Sequence, residues 1–281
     1  MIRTIQAEDI TKAVRDMCIR ANSYLPEDVV QALDDAIEAE DFEIAQGTLD
    51  VLRDNLKIAR DKQVPICQDT GMACLYVEVG QDVHVEGSLT NALNEGVRQG
   101  YTEGYLRKSI VADPVLERVN TGDNTPASIH YDIVPGDRIH IVAAPKGFGS
   151  ENMCQVKMMK PSDGIEGVKD FILQVVQDAG PNPCPPVVIG VGIGGAFDTV
   201  PLLAKQAMMK TIGEYNDDPR YAAVEKEMLG KVNALGIGPA GYGGRTTALG
   251  LHILTKPTHI AGMPVAVAIC CHVARHQEVT L

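Results

Sequence analysis

The sequence predicts an α+β fold in which N-terminal helices are followed by mixed strands and helices in one compact domain. Three observations carry that expectation. The hydrophobic period is helical over the first sixty residues, it changes to a period of two after Gly71, and from there strand-like and helix-like runs alternate only loosely. On this reading residues 1–62 are mainly helical and residues 63–281 are mixed.

In the N-terminal part, Ile10, Val14 and Met17, then Val29, Leu33 and Ile37, then Leu49, Leu52 and Leu56 recur at spacings of three and four. Pro26 and Asp41 stand where helices would begin. Ala73, Leu75, Val77 and Val79 form one face of a strand, and the weakly polar Met72, Cys74 and Tyr76 indicate that its other face is covered too. Further strands are expected at Arg138 to Ala143, Val187 to Val191 and Pro264 to Ile269. Helices are expected at Leu89 to Gly100, Gly167 to Asp178, Pro201 to Tyr215 and Tyr221 to Ala234.

With 281 residues, 45% of them hydrophobic, the chain can bury a large core. A formal net charge of -12 argues against nucleic acid and anionic membrane as partners. There is no apolar run of membrane-spanning length and no signal-peptide pattern at the N-terminus, so a soluble, cytoplasmic protein is expected. Seven cysteines without a CxxC pair do not make a zinc ribbon, and in a reducing compartment they are expected to be buried, metal-bound or reactive.

Several segments combine groups that could carry chemistry. Cys67-Gln68-Asp69-Thr70 sets a thiol, an amide, a carboxylate and a hydroxyl in consecutive positions between a helix and a strand; an ordinary turn with a buried thiol is the plainer alternative. Cys184 lies in a proline-stiffened loop, Gly180 to Pro186, that could present its sulfur with little ordering cost. Cys270 and Cys271 close an apolar run, and alternation along a strand allows only one of them to face a given site. Lys146 to Asn152 offers backbone amides and a cation to an anionic oxygen, or forms a tight turn. Arg107, Lys146, Arg245 and Lys256 are the cations that could meet a carboxylate, arginine being best suited through its planar fork. Gly190 to Gly195 formally meets the dinucleotide fingerprint, with Glu214 downstream, which keeps a nicotinamide oxidoreductase open as a competing class.

Taken together, the segments Ile66 to Gly71, Leu106 to Val111, Asn120 to Ala127, Lys146 to Asn152, Gly192 to Asp198, Pro257 to Gly262 and Cys271 to His276 resemble, in order, the motifs of the alpha subunit of the class I fumarate hydratase and L-tartrate dehydratase family. The resemblance implies a cluster-carrying subunit of a hydro-lyase that adds or removes water at a small dicarboxylate, fumarate/malate or alternatively tartrate. It implies a [4Fe-4S] cluster with three cysteine ligands, matching Cys67, Cys184 and Cys271 here, and one open iron. Gln68, Arg107 and a backbone amide at Gly149 would grip the substrate, and Asp69 and His259 would be catalytic. Phe148 stands where a third glycine is expected in that loop. Single-chain relatives continue into a second domain beyond the position of Cys271, so a separate beta subunit, and hence a hetero-oligomer, is expected.

Overall fold

The two sulfur-bearing segments that flank strands, at Cys67 and at Cys184, each lead into the interior of a four-stranded mixed sheet, and the two sheets are what position the site residues. The computed structural model describes residues 2–281. Its elements in chain order are β1 (Arg3–Gln6), α1 (Ala7–Ser23), α2 (Glu27–Ala39), α3 (Glu43–Lys62), β2 (Met72–Gly80), β3 (Val83–Glu86), α4 (Leu89–Glu103), β4 (Ser128–Val134) and β5 (Ile139–Lys146). There follow α5 (Phe148–Glu151), β6 (Gln155–Met159), α6 (Gly164–Ala179), β7 (Val187–Gly195), α7 (Val200–Ala207), α8 (Pro219–Asn233), β8 (Ala248–Thr258), β9 (Met263–Cys270) and β10 (Gln277–Thr280). The α+β class and the N-terminal helices agree with the sequence reading. Contacts group the chain into two compact units: the N-terminal segment to Pro26 with Leu56–Phe148 and Arg275–Leu281, and Glu27–Asn55 with Gly149–Ala274.

In the first unit the sheet order is β10-β5-β2-β4, with β2 parallel to β4 and antiparallel to β5. Ala73, Leu75 and Val77 are buried as the alternation predicts, and so are Cys74 and Tyr76 on the other face. Helices α1 and α4 complete the core, with Ile10, Val14, Leu93, Val97 and Tyr101 fully buried beside Leu75, Ile139 and Ile141. The two helices approach closely because α4 carries glycine at the crossing. A Cβ on Gly96 would stand 2.6 Å from the Val14 Cβ, and one on Gly100 would stand 2.8 Å from the Cys18 Cβ and 2.9 Å from the Arg15 carbonyl. Replacing Gly100 by valine is therefore expected to cost at least about 1–3 kcal/mol through overpacking, read as a lower urea midpoint at unchanged slope.

The second unit is built on the sheet β6-β9-β7-β8, with β7 parallel to β8 and antiparallel to β9. Ile172 and Val175 of α6 and Met228 and Val232 of α8 pack on Ile189, Val191, Leu251 and Val267. Burying each large aliphatic side chain of this kind contributes about 1.5–3 kcal/mol. The glycine run that resembled a dinucleotide fingerprint has another purpose here. Gly190 and Gly192 lie within β7, paired with His252 and Leu254, not in the turn that follows it. A Cβ on Gly190 would stand 2.1 Å from the Ala204 carbonyl and one on Gly192 2.6 Å from that of Val200. Those glycines let α7 lie flat on the strand, and that accounts for their spacing without a nucleotide.

Three departures from the sequence reading have simple causes. The helix expected over Pro201 to Tyr215 ends at Ala207, where turns follow instead. Strands β4, β6 and β8 lie in regions where no strand was expected: β4 and β6 leave most of their residues exposed or half-buried, and β8 has glycine at its third position and closes in an exposed tail. β1, β3 and β10 span four residues each, too short to show a period.

Candidate functional site

In the first unit, register puts the Cys67–Gly71 loop beside the end of β5. Met72 opens β2 opposite Lys146, the last residue of β5, so the residues just before one strand meet those just after the other. Gly71, with φ +80, makes this approach: a Cβ there would stand 2.8 Å from the Lys146 backbone. The Asp69 carboxylate then caps two backbone donors, Oδ1 accepting from the Gly71 N–H at 3.0 Å and Oδ2 from the Phe148 N–H at 2.9 Å. The Cys67 thiol donates to Gln68 Oε1 at 3.1 Å. Cys67 and Asp69 are partly exposed and Gln68 is exposed, so all three side chains can meet a solute.

Buried polar groups clamp this loop. The Thr70 hydroxyl accepts from the Arg107 N–H at 2.9 Å and donates to the Arg107 carbonyl at 3.2 Å. Arg107 is thereby tied by its backbone one residue from Asp69, and its side chain stays exposed. The Tyr101 hydroxyl donates toward the Thr70 and Gly71 carbonyls at 2.8 and 2.9 Å. Burial raises the Tyr101 pKa well above the usual phenol value, so the hydroxyl keeps its proton. Asn124, fully buried at φ 64, accepts from the Ser109 N–H at 2.7 Å and donates to the Gly71 carbonyl at 3.2 Å. Arg275 Nη2 donates to the Asp69 carbonyl at 2.7 Å.

The same geometry recurs in the second unit. Val188, near the start of β7, lies opposite Cys270, the last residue of β9, so the loop before β7 meets the residues after β9. His272 Nδ1 sits 3.1 Å from the Cys184 carbonyl; since a carbonyl only accepts, Nδ1 carries the proton. Cys184 is exposed and held at φ 55, in the left-handed region, by its own N–H donating to the Pro181 carbonyl and by the Ala240 N–H donating to the Pro185 carbonyl. Gly241 packs so tightly on this loop that a Cβ would stand 2.4 Å from the Pro181 Cβ. A non-glycine residue forced to positive φ costs of order 1–3 kcal/mol and persists only where its surroundings over-determine it. Gly149 flanks the same loop, its Cβ position 3.6 Å from the Asn182 carbonyl.

Of the seven cysteines, Cys18, Cys74 and Cys270 are buried, Cys67, Cys154 and Cys271 are half-buried, and Cys184 is exposed. Burial pushes the Cys18 thiol up to about 12 and the Cys154 thiol up to about 11. The remaining three are Cys67, Cys184 and Cys271. As alternation required, Cys270 faces the core and Cys271 stands beyond the strand. Among the described residues no group of three or more His, Cys, Asp or Glu side chains is arranged to hold a metal ion. His259 is exposed in the turn between β8 and β9, where Nδ1 accepts the Ala261 N–H at 3.2 Å and leaves Nε2 for a ligand.

The candidate cations separate. Arg245 is engaged by Asp41, its Nε donating to Oδ1 at 2.8 Å, and Lys146 is buried. Arg107 and Lys256 are exposed. Thr70, Tyr101 and Asn124 were not singled out from the sequence for the roles they play. Asn124 lies in a motif that carried the resemblance, but nothing local reveals a buried clamp between segments distant in sequence.

Comparison with known proteins agrees with this architecture. Residues 11–280 match the model of the family described as fumarate hydratase (fumerase). A protein of Methanocaldococcus jannaschii named "Putative L(+)-tartrate dehydratase subunit alpha" is 42% identical over 267 residues, 93% of this chain and 94% of that one. The L(+)-tartrate dehydratase subunit alpha of Escherichia coli strain UTI89 is 32% identical over 266 residues, covering 93% of this chain and 87% of the relative. That of strain K12 is 31% identical over the same length and coverage. With the match extending through both sheets and both sulfur-bearing loops, the chain belongs to the fumarate hydratase (fumerase) family of hydro-lyases.

Proposed function

We propose that this chain is the cluster-carrying alpha subunit of a hydro-lyase acting on a small dicarboxylate, and that Cys67, Cys184 and Cys271 are the three protein ligands of a [4Fe-4S] cluster. The observation that carries this reading is how the seven cysteines divide: Cys18, Cys74 and Cys270 are buried, half-buried Cys154 is engaged with the Ser150 and Ile269 backbone and its thiol is pushed up to about 11, and the remaining three are the ones that the family resemblance selects. The donor set fits the group, since thiolate is the usual ligand of such clusters and three thiolates leave one iron for substrate. The over-determined left-handed backbone at Cys184 supports it further, because strain of that kind concentrates at ligand clamps. When bound, the cluster supplies a Lewis acid that polarises the C–O bond being made or broken.

The chain's own residues do the rest. Gln68 and Arg107 bind the carboxylates, with an N–H at Gly149 assisting, and the rigid Thr70 clamp fixes the spacing of the first two. Asp69, oriented by two backbone donors, moves the proton at the hydroxyl that leaves or arrives. His259 orients a substrate oxygen through Nε2. The partner is a separate beta subunit, in keeping with the subunit names of the relatives. No helix among the described residues is long and apolar enough to cross a membrane, and an oxygen-labile cluster suits the reducing cytoplasm.

Fumarate/malate is the main substrate reading; the names of the relatives favour L-tartrate as the second. Anaerobic reconstitution with iron and sulfide is expected to give the broad sulfur-to-iron charge-transfer absorbance. The reconstituted chain with its beta subunit should then turn over one of fumarate, malate or L-tartrate, and should not do so without that subunit. A colourless protein, or full hydratase turnover by the single chain, would count against the respective part.

A further inference from the structure

Strand β6 is the outer strand of the second unit's sheet, in the order β6-β9-β7-β8. The Ile269 N–H donates to the Cys154 sulfur at 3.2 Å and the Ile269 carbonyl faces the same sulfur at 3.8 Å, so Ile269, and with it Val267 and Val265, turns its main-chain groups toward β6. Gln155 and Lys157 pair with Val267 and Val265, which directs the N–H and C=O of Val156 and Met158 to the open edge. No hydrogen bond among the described residues takes these groups up. Both side chains are exposed on the face that carries α7, Met158 at 56% and Val156 at 40%. Beside them lies a cavity of about 150 Å³ between Val156, Ala266 and Ala268 of the sheet and Pro201 and Ala204 of α7. Open strand edges with apolar side chains are templates for another strand.

We propose that β6 seats a second copy of this chain: the two β6 strands pair antiparallel about a two-fold axis at Lys157 and join the two sheets into one. The free groups match themselves in this register alone. Val156 then stands opposite Met158 of the other copy, and each exchanges N–H···O bonds in both directions. An axis at Val156 would bring in Cys154, whose N–H already donates to the Glu151 carbonyl. An axis at Met158 would bring in Lys160, whose N–H already donates to the Asp163 carboxylate. On the α7 face each Met158 reaches the Val156 and the apolar cavity of the other copy. A lysine in an edge strand commonly keeps other strands away, but here charge complementarity offsets the repulsion. The Lys157 ammonium lies on the α6 side, 5.6 Å from the Phe171 ring centroid, in a groove that Asp163, Glu166 and Asp170 also line. The two facing lysines therefore meet carboxylates from both copies. This dimer does not depend on the cluster or on the substrate.

The test is sedimentation equilibrium of the full chain over a range of concentrations, with circular dichroism to check the fold of each variant. The wild type is expected to reach twice the mass of a single chain. Val156→Pro removes an outward N–H without touching the ladder to β9, and should raise the dimer dissociation constant by at least about 10-fold. Met158→Asp, at an exposed position, should do the same and is the variant to read if the proline protein does not accumulate. Register is read separately by cross-linking. Lys157→Cys places two thiols directly opposite at the axis and should give a covalent dimer on mild oxidation. Gln155→Cys, opposite Met159 of the other copy, should give no more cross-link than the wild type. A wild type that stays monomeric overturns the proposal, and so does a dimer that both edge variants leave unchanged. A monomer whose binding to the beta subunit is lost in those variants also overturns it, and assigns the edge to that subunit instead.

Discussion

Asp69→Asn is expected to lower the turnover of the loaded two-chain enzyme by about 10²–10⁴-fold, the usual contribution of a positioned general acid or base, while leaving the fold and the cluster in place. The amide keeps the shape of the side chain and one of its two acceptor positions, so the Gly71 or the Phe148 N–H remains bonded. The other donor can turn to water because the residue is only partly buried. What the amide lacks is the capacity to exchange a proton with the substrate hydroxyl. A drop in kcat with KM near the wild-type value, and with iron content and melting temperature retained, is the expected pattern. Wild-type kcat in the asparagine enzyme would remove Asp69 from the chemistry and leave it the turn former it also is.

The second large effect concerns the sulfurs. Cys184→Ala is expected to abolish the charge-transfer absorbance on reconstitution, because loss of one of three protein ligands should exceed the about 10–100-fold that outer contacts contribute. Stability should change by no more than about 0.5 kcal/mol, since the side chain is exposed and the backbone of the loop is fixed by the Pro181 and Pro185 carbonyls. Cys154→Ala is the matched control. Its sulfur is occupied with the Ile269 and Ser150 backbone and its thiol is pushed up to about 11 by burial, so the cluster should form as in wild type. Equal cluster content in the two variants would refute the ligand assignment whatever the resemblance of the sequence.

The helices of residues 7–62 were legible because three apolar stripes at spacings of three and four are enough to specify amphipathic helices. Strands β2, β5, β7 and β9 were legible because each is a long apolar or alternating run. β4, β6, β8 and the four-residue strands were not, since too little of their pattern distinguishes a strand from a loop. The glycines of β7 illustrate the limit. Their spacing satisfied a nucleotide motif, and only the position of the α7 backbone explained why side chains are excluded there.

By itself the sequence determined the α+β class, that only one of Cys270 and Cys271 can face a given site, and the motifs that carry the family, since these depend on local period and residue type. The tertiary structure decided which strand ends meet: β2 with β5 brings the Phe148 amide to Asp69, and β7 with β9 brings His272 to Cys184. It also decided that Thr70, Tyr101, Asn124 and Arg275 hold the Asp69 segment. The physical reason is that strand register and burial arise from contacts between residues far apart in the chain, and the buried polar bonds that fix a loop leave no trace in its local composition.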